Sequence, residues 1–262
     1  MMHHDWPDGP MLSIVIPTYN EAENILPLVR RIEESVAALG GPCELIFVDD
    51  SSPDGTAEEI SAWTSSNTLP LRLIQRPQKM GLASAAMDGF AAARGGLIGL
   101  MDADLSHPPE AIPLLVRPLL SGEADLCVGS RYMCGSQIKD WGLKRRVCSR
   151  CACALGKTVT NLSDPLSGFF FMERSVIEGM HLTASGFKIG LEILVKGNCQ
   201  NILEVPITFT DRLKGQSKLT SHEMTAFMSQ ILRLLLSRKT FHRKPNMIRK
   251  KNSYVSSSTT QV

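Results

Sequence analysis

Apolar positions in this chain gather into short, nearly continuous runs, separated by longer stretches where apolar and polar residues recur with helical spacing. Short apolar runs bounded by turn residues read as strands buried on both faces. Five of them occupy residues 12–16, 43–48, 71–75, 97–101 and 125–128. Helices are predicted between them. One runs from a cap at Asn20 to about Leu39, with Glu21 and Glu23 in its first turn and Gly40-Gly41 as its stop. A second opens at Ser52 or Asp54 and ends near Ser65. An Ala-rich third spans Gly81 to Arg94, and a fourth runs from Pro108-Pro109 to about Leu120. Strands alternating with helices of this length predict βαβ units and a parallel sheet.

Past residue 130 the pattern loosens. Ser130 to Gly142 reads as a loop, 143–157 as a basic and partly apolar helix, and 164–172 as a loop entering a strand. Glu204 to Phe209 reads as one more strand. Residues 222–237 set Met224, Phe227, Met228, Ile231, Leu232 and Leu235 on one helical face. This predicts an amphipathic helix, at 222–242, that lies on a membrane surface or on a partner subunit. Residues 12–221 would then form the main domain. The polar segment 1–11 and the basic, Ser/Thr-rich segment 243–262 are expected to lack order.

Two of the strands end abruptly in carboxylates. The first closes on Asp49-Asp50, followed by Ser51-Ser52-Pro53-Asp54-Gly55-Thr56, and the other on Asp102-Ala103-Asp104. Ligands of open α/β sheets sit beyond the carboxyl ends of the strands. In extended backbone Asp102 and Asp104 point to one side, roughly 6–7 Å apart. That spacing suits a hard divalent cation shared with substrate phosphates. An Asp at a strand end also starts turns and caps helices, but two clusters at successive strand ends favour a site. His107, just before Pro108-Pro109, reads as structural. The first strand leads into Pro17-Thr18-Tyr19-Asn20-Glu21 without a G-x-G-x-x-G, and no G-x-x-x-x-G-K-[ST] occurs. A dinucleotide-dependent dehydrogenase and a P-loop enzyme are therefore disfavoured.

Composition changes the picture little. The 262 residues suffice for a full α/β core, and a net charge of +2 does not mark a nucleic-acid binder. Positive charge is nonetheless concentrated: seven Lys or Arg and no acid lie between Arg238 and Lys251, and five basic residues face one Asp between Lys139 and Arg150. No apolar stretch approaches 18 residues, so no membrane span is expected, and residues 1–10 lack the apolar core of a signal peptide. Seven cysteines, an odd number in a long chain, point to reduced thiols. The spacing of Cys148, Cys151 and Cys153 lacks a second ligand pair, which favours small apolar roles over a metal.

Six motifs occur in order: Val-Ile-Pro-Thr-Tyr-Asn-Glu (15–21), Val-Asp-Asp-Ser-Ser-Pro-Asp-Gly-Thr (48–56), Met-Asp-Ala-Asp-Leu-Ser-His-Pro-Pro-Glu (101–110), Val-Gly-Ser-Arg-Tyr (128–132), Ser-Asp-Pro-Leu-Ser-Gly-Phe-Phe (163–170) and Gly-Gln-Ser-Lys-Leu (215–219). Together they resemble family 2 glycosyltransferases, and specifically the polyprenyl (dolichyl) phosphate mannosyltransferases, over residues 12 to 235. The resemblance implies a GT-A fold, which is a Rossmann-like, mostly parallel α/β sheet flanked by helices. It also implies a GDP-mannose donor, a Mg2+ or Mn2+ ion, a polyprenyl or dolichyl phosphate acceptor, and inversion at the sugar. Residue by residue, it assigns Pro17, Tyr19, Glu21, Val48 and Asp50 to the nucleobase and ribose pocket, Asp50 through the base edge. Asp102, Ala103 and Asp104 meet the diphosphate and metal, with Ser106 where some relatives have a Gln metal ligand. Arg131, Arg212 and Lys218 match phosphate-binding cations, Arg145 and Ser149 match positions that hold the acceptor phosphate, and Asp164 lies where related transferases place a base. By the same resemblance the protein acts peripherally on the cytosolic face of a membrane, with integral-membrane subunits as candidate anchors. For a eukaryote that membrane is the endoplasmic reticulum, and for a prokaryote the plasma membrane.

The residue types fit such chemistry. A nucleoside diphosphate develops negative charge as it leaves, and a cation with Arg212 and Lys218 stabilises it. A phosphate monoester with a second pKa near 6 is already largely dianionic at neutral pH and needs positioning more than a base. Two alternatives stay open: the same fold with a UDP-sugar donor, and a non-catalytic nucleotide- or lipid-binding subunit of a membrane complex.

Overall fold

The computed structural model of the chain describes residues 10–64, 69–183, 189–211, 221–237 and 246–248. Strands β1 (Leu12–Thr18), β2 (Cys43–Asp49), β3 (Leu71–Gln75), β4 (Leu97–Leu100) and β5 (Leu126–Ser130) follow the five apolar runs. Helices α1 (Ala22–Ala37), α2 (Thr56–Thr64), α3 (Leu82–Ala92) and α4 (Ile112–Leu120) connect them. Their order in the sheet reverses at β1. From β1 the chain steps outward to β2 and β3, then crosses back so that β4 pairs on the other side of β1. The cleft at that reversal is where an open α/β sheet binds its ligand.

The strands read as unbroken apolar runs because both faces are covered. Successive side chains point to opposite faces. Ile14 and Leu45 pack under α1, α2 and α4, while their neighbours Val15 and Ile46 pack under α3 and under α6 (Ile189–Lys196).

Later elements depart from the sequence reading where pairing is long-range. The predicted loop after Ser130 contains β6 (Gln137–Lys139). Helix α5 (Leu143–Gly156) follows, and then β7 (Phe170–Glu173), which runs antiparallel between β4 and β5. The predicted strand 204–209 divides at Ile207 into β8 (Asn201–Pro206), which extends the main sheet beside β5, and β9 (Thr208–Thr210), which pairs with β6. Within the segment expected to lack order, β10 (Asn246–Ile248) pairs parallel to β8 and completes an eight-stranded sheet of order β10-β8-β5-β7-β4-β1-β2-β3.

Helix α7 (Ser221–Ser237) packs on the domain itself: Phe227, Ile231 and Leu234 are buried against Cys153 of α5 and Leu191 of α6. Of the predicted apolar stripe, Met228, Leu232 and Leu235 stay exposed, joined by Leu236. Met224's side chain lies outside the described residues. Among the described residues no helix is long and apolar enough to cross a membrane.

Candidate active site

The antiparallel insertion of β7 shapes the site. Val128 pairs with Phe170, so the loop 164–169 enters β7 at the edge where β4 and β5 end. That edge also carries backbone strain. All four non-glycine residues of positive φ among the described residues, Asn20, Ser51, Leu105 and Asp140, follow the ends of β1, β2, β4 and β6. Such conformations cost about 1–3 kcal/mol each and collect where structure is held for function.

The segment after β4 closes on itself. Leu105, at φ 60°, reverses the chain so that the Ser106 amide donates to Asp104 Oδ1 at 3.0 Å. The Asp102 amide donates to His107 Nδ1, also at 3.0 Å. Asp102, Asp104 and Ser106 are thereby brought onto one short loop, with Asp104 buried and Asp102 half-buried. Ser106 Oγ is buried without a hydrogen-bond partner among the described residues. Gly168 approaches from the β7 loop, and a Cβ there would stand 3.8 Å from both Asp102 oxygens. Two carboxylates and an orphaned hydroxyl form a hard oxygen donor set that fits Mg2+ or Mn2+, ions that leave part of their shell to water and substrate phosphates. Among the described residues no group of three His, Cys, Asp or Glu side chains could hold a metal by itself. Ala103, assigned to the diphosphate, has its side chain buried in the core, so only its backbone can serve there.

A second group gathers around Arg131, just past β5. Its Nε and Nη2 donate to the two oxygens of Asp164 at 2.7 Å each, and its own amide donates to Oδ2 at 3.0 Å. Asp164 is fully buried. Burial alone would raise its pKa, but the hydrogen bonds and charge of Arg131 outweigh that and hold it below the usual carboxylate range. The same pair raises the Arg131 pKa against the opposing effect of its own burial. Asp164 is thus placed to orient a cation. A base needs a free lone pair toward substrate, and here the Asp164 oxygens are taken up by Arg131 and the Cys153 thiol, an arrangement that favours orienting the cation. Glu204 of β8 secures the loop by accepting the amides of Ser163 and Asp164 at 2.8 and 3.0 Å.

Aromatic rings surround the exposed side of the Arg131 pair. Tyr132, Trp141 and Phe209 lie 5.4–5.7 Å from the Arg131 guanidinium carbon. Trp141 also carries the Arg145 guanidinium 4.4 Å above its ring. Arg145 and Ser149, one turn apart on α5, both enter this group. Arg145 forms an ion pair with Asp211, and Ser149 Oγ accepts the Tyr132 hydroxyl at 2.7 Å. Phe209 joins the two halves, since its ring meets Trp141 at 5.4 Å and His107 at 5.6 Å.

On the other side of the reversal, Tyr19 is exposed, with Lys79 Nζ 3.3 Å from its ring centre. Glu21 accepts from Asn24 Nδ2 at 2.6 Å and precedes α1, which starts two residues after the predicted cap, because Asn20 has turned to positive φ. Pro17 and Val48 are buried within their strands and can line a pocket only through backbone. Asp50 is buried and already accepts three donors: Arg76 Nη1 at 2.8 Å, the Met80 amide at 2.8 Å and the Gly81 amide at 2.7 Å. Gly81 sits at φ 95°, a conformation only glycine adopts at ease. Asp50 therefore holds the 76–81 loop, and any contact to a base edge would use the acceptor capacity these three bonds leave. Arg212 and Lys218 lie outside the described residues.

Reading the sequence missed Arg76, Lys79, Trp141 and Asp211. Arg76 and Lys79 follow β3 of the main sheet, while Trp141 and Asp211 follow β6 and β9 of the small one, a signal usable only once the strand pairing is known.

An open, mostly parallel sheet with an Asp-x-Asp loop at its reversal is the layout of the GT-A glycosyltransferase fold. The model of the glycosyl transferase family 2 matches residues 13–188, and the chain belongs to that family. The dolichol-phosphate mannosyltransferase of Pyrococcus furiosus is 40% identical over 228 residues, covering 86% of this chain and 63% of that protein, so the chain spans under two thirds of that relative. The dolichol-phosphate mannosyltransferase of Saccharomyces cerevisiae is 38% identical over 232 residues, covering 85% of this chain and 86% of that protein. Among solved structures, a mannosyltransferase of Pyrobaculum calidifontis in complex with GDP-Man and Mn2+ superposes with a TM-score of 0.58 at 19% identity, covering 91% of this chain and 66% of that one. That likeness is one of fold.

Proposed function

We propose that this chain transfers mannose from GDP-mannose to a polyprenyl or dolichyl phosphate, with inversion, at the cytosolic surface of a membrane. The observation that carries the reading is 38–40% identity to dolichol-phosphate mannosyltransferases across 85–86% of the chain. The geometry supports it. The donor's diphosphate would lie beside Asp102 and Asp104, and these with Ser106 would hold the Mg2+ or Mn2+. When bound, that ion supplies charge neutralisation for the leaving diphosphate.

The acceptor's phosphate needs cations. Arg145 would supply one, with the hydroxyls of Ser149 and Tyr132 beside it, in the same aromatic-walled group as Arg131, which is aimed by Asp164 and is read as a cation for the donor's phosphates. An incoming phosphate would displace Asp211 from Arg145. As a dianion near neutral pH it can attack the anomeric carbon without a base. Exchange of charge partners, with the reacting atoms brought into line, then accounts for most of the catalytic demand. Arg212 and Lys218 would add charge at the leaving group.

A donor screen tests the reading. The purified chain is given radiolabelled GDP-mannose, UDP-glucose or UDP-N-acetylglucosamine with a polyprenyl phosphate and Mn2+. Butanol-extractable label is expected from GDP-mannose alone. Label from a UDP-sugar would move the chain to a different donor, and no label from any donor, with nucleotide still bound, would favour a non-catalytic subunit.

A further inference from the structure

His107 is in contact with both ends of Asp102. Its Nδ1 accepts the Asp102 amide at 3.0 Å, and its Nε2 lies 3.8 Å from Asp102 Oδ2. An imidazole nitrogen that accepts an N–H carries no proton of its own, so the ring proton of the neutral form sits on Nε2, the atom facing the carboxylate. The ring cannot turn away from this arrangement. It is buried, stacked on Phe169 at 5.1 Å with an interplanar angle of 11°, and met edge-on by Phe209 at 5.6 Å. Three elements therefore fix one histidine against one carboxylate: the β4 loop, the entry to β7, and β9.

We propose that His107 is a positioning residue for Asp102. It closes the 102–107 loop through Nδ1 and backs the Asp102 carboxylate with its Nε2 edge, a contact of 3.8 Å that is longer than a hydrogen bond and acts by packing and polarity to keep the carboxylate in its ligating orientation. This rests on the reading of Asp102 as a ligand of the divalent cation. The sequence reading of His107 as structural is thereby sharpened. Bulk alone would be met by any flat ring, since a phenylalanine could stack on Phe169 equally well. A phenyl ring offers no acceptor to the Asp102 amide and no polar edge to its carboxylate. Groups of this kind, behind a metal ligand, change metal affinity about 10–100-fold when removed.

The test uses the full chain and two variants, His107→Phe and His107→Asn. Asparagine can place a carbonyl oxygen near the Nδ1 position, so it keeps the loop-closing bond and loses the contact to the carboxylate. Mn2+ is titrated calorimetrically into each protein in the presence of GDP, and GDP is titrated separately in EDTA. Expected are a 10–100-fold loss of Mn2+ affinity in His107→Phe and a smaller loss in His107→Asn, with GDP affinity in EDTA within twofold of the parent. If His107→Phe does not melt cooperatively, His107→Asn alone carries the test. A folded variant that binds Mn2+ like the parent overturns the proposal, as does an equal loss of GDP affinity in EDTA. A parent chain whose GDP affinity ignores Mn2+ would instead overturn the metal reading itself.

Discussion

The guanidinium of Arg131 meets the carboxylate of Asp164 through two parallel hydrogen bonds of 2.7 Å, in a position where Asp164 has no exposure to water. Removing one partner of such a pair leaves a buried charge uncompensated, which typically costs about 3–5 kcal/mol. Asp164→Asn should lower stability by that order in urea denaturation, and pairing it with Arg131→Met should recover part of the loss.

The same pair sets an acid limit. Asp164 has a lowered pKa in the folded chain, so it binds fewer protons there than when unfolded. Its contribution is complete above the ordinary carboxylate value near 3.9 and is lost as pH falls through the lower folded value. Asp54, held by Thr56 and the Ala22 amide, and Glu110, paired with Arg31, act in the same direction. Stability should therefore change little from these groups between pH 7 and about 5 and fall below about pH 4, with a shallower acid slope in Asp164→Asn. An unchanged slope in that variant would remove Asp164 from the account.

At the metal loop, Asp104→Asn should abolish transfer and the Mn2+ dependence of GDP binding, because a neutral amide is a poor ligand for a hard cation. Asp102→Asn should do nearly as much. Full turnover in EDTA would exclude the metal from the reaction.

Asp50 accepts from Arg76 and from two successive amides. In Asp50→Asn one carboxylate oxygen becomes a donor that faces donors. Hydrogen exchange at Met80 and Gly81 should accelerate, and the donor KM should rise more than kcat falls. Unaltered exchange at both amides would contradict a loop held by Asp50.

Helix α7 presents two faces with separable roles. Leu234 is 2% exposed, whereas Leu232 and Leu236 are 59% and 63% exposed. Leu234→Ala or Ile231→Ala should cost about 2–5 kcal/mol of stability, as for other truncations in a packed core. Leu232→Ser with Leu236→Ser should leave stability within about 0.5 kcal/mol, as surface substitutions do, and weaken sedimentation with anionic liposomes. Parent chain that stays in the supernatant at low salt would assign that face to a partner instead.

Much of this molecule was legible in its sequence. Five buried strands, the four connecting helices and the carboxylates that end β2 and β4 follow from local periodicity and from the punctuation of Gly, Pro and Asp, because burial on both faces of a strand leaves its mark residue by residue. The ordered motifs carried the family as well. What the tertiary structure decided is which charge meets which. Asp164 pairs with Arg131 across 33 residues, Asp50 with Arg76 across 26, and Arg145 with Asp211 across 66. Those partnerships depend on the entry of β7 beside β5, on the pairing of β2 with β3, and on the pairing of β6 with β9. Periodicity reports how deeply a residue is buried and in what local form, while the partner of a buried charge is set by whichever strand ends the fold brings side by side.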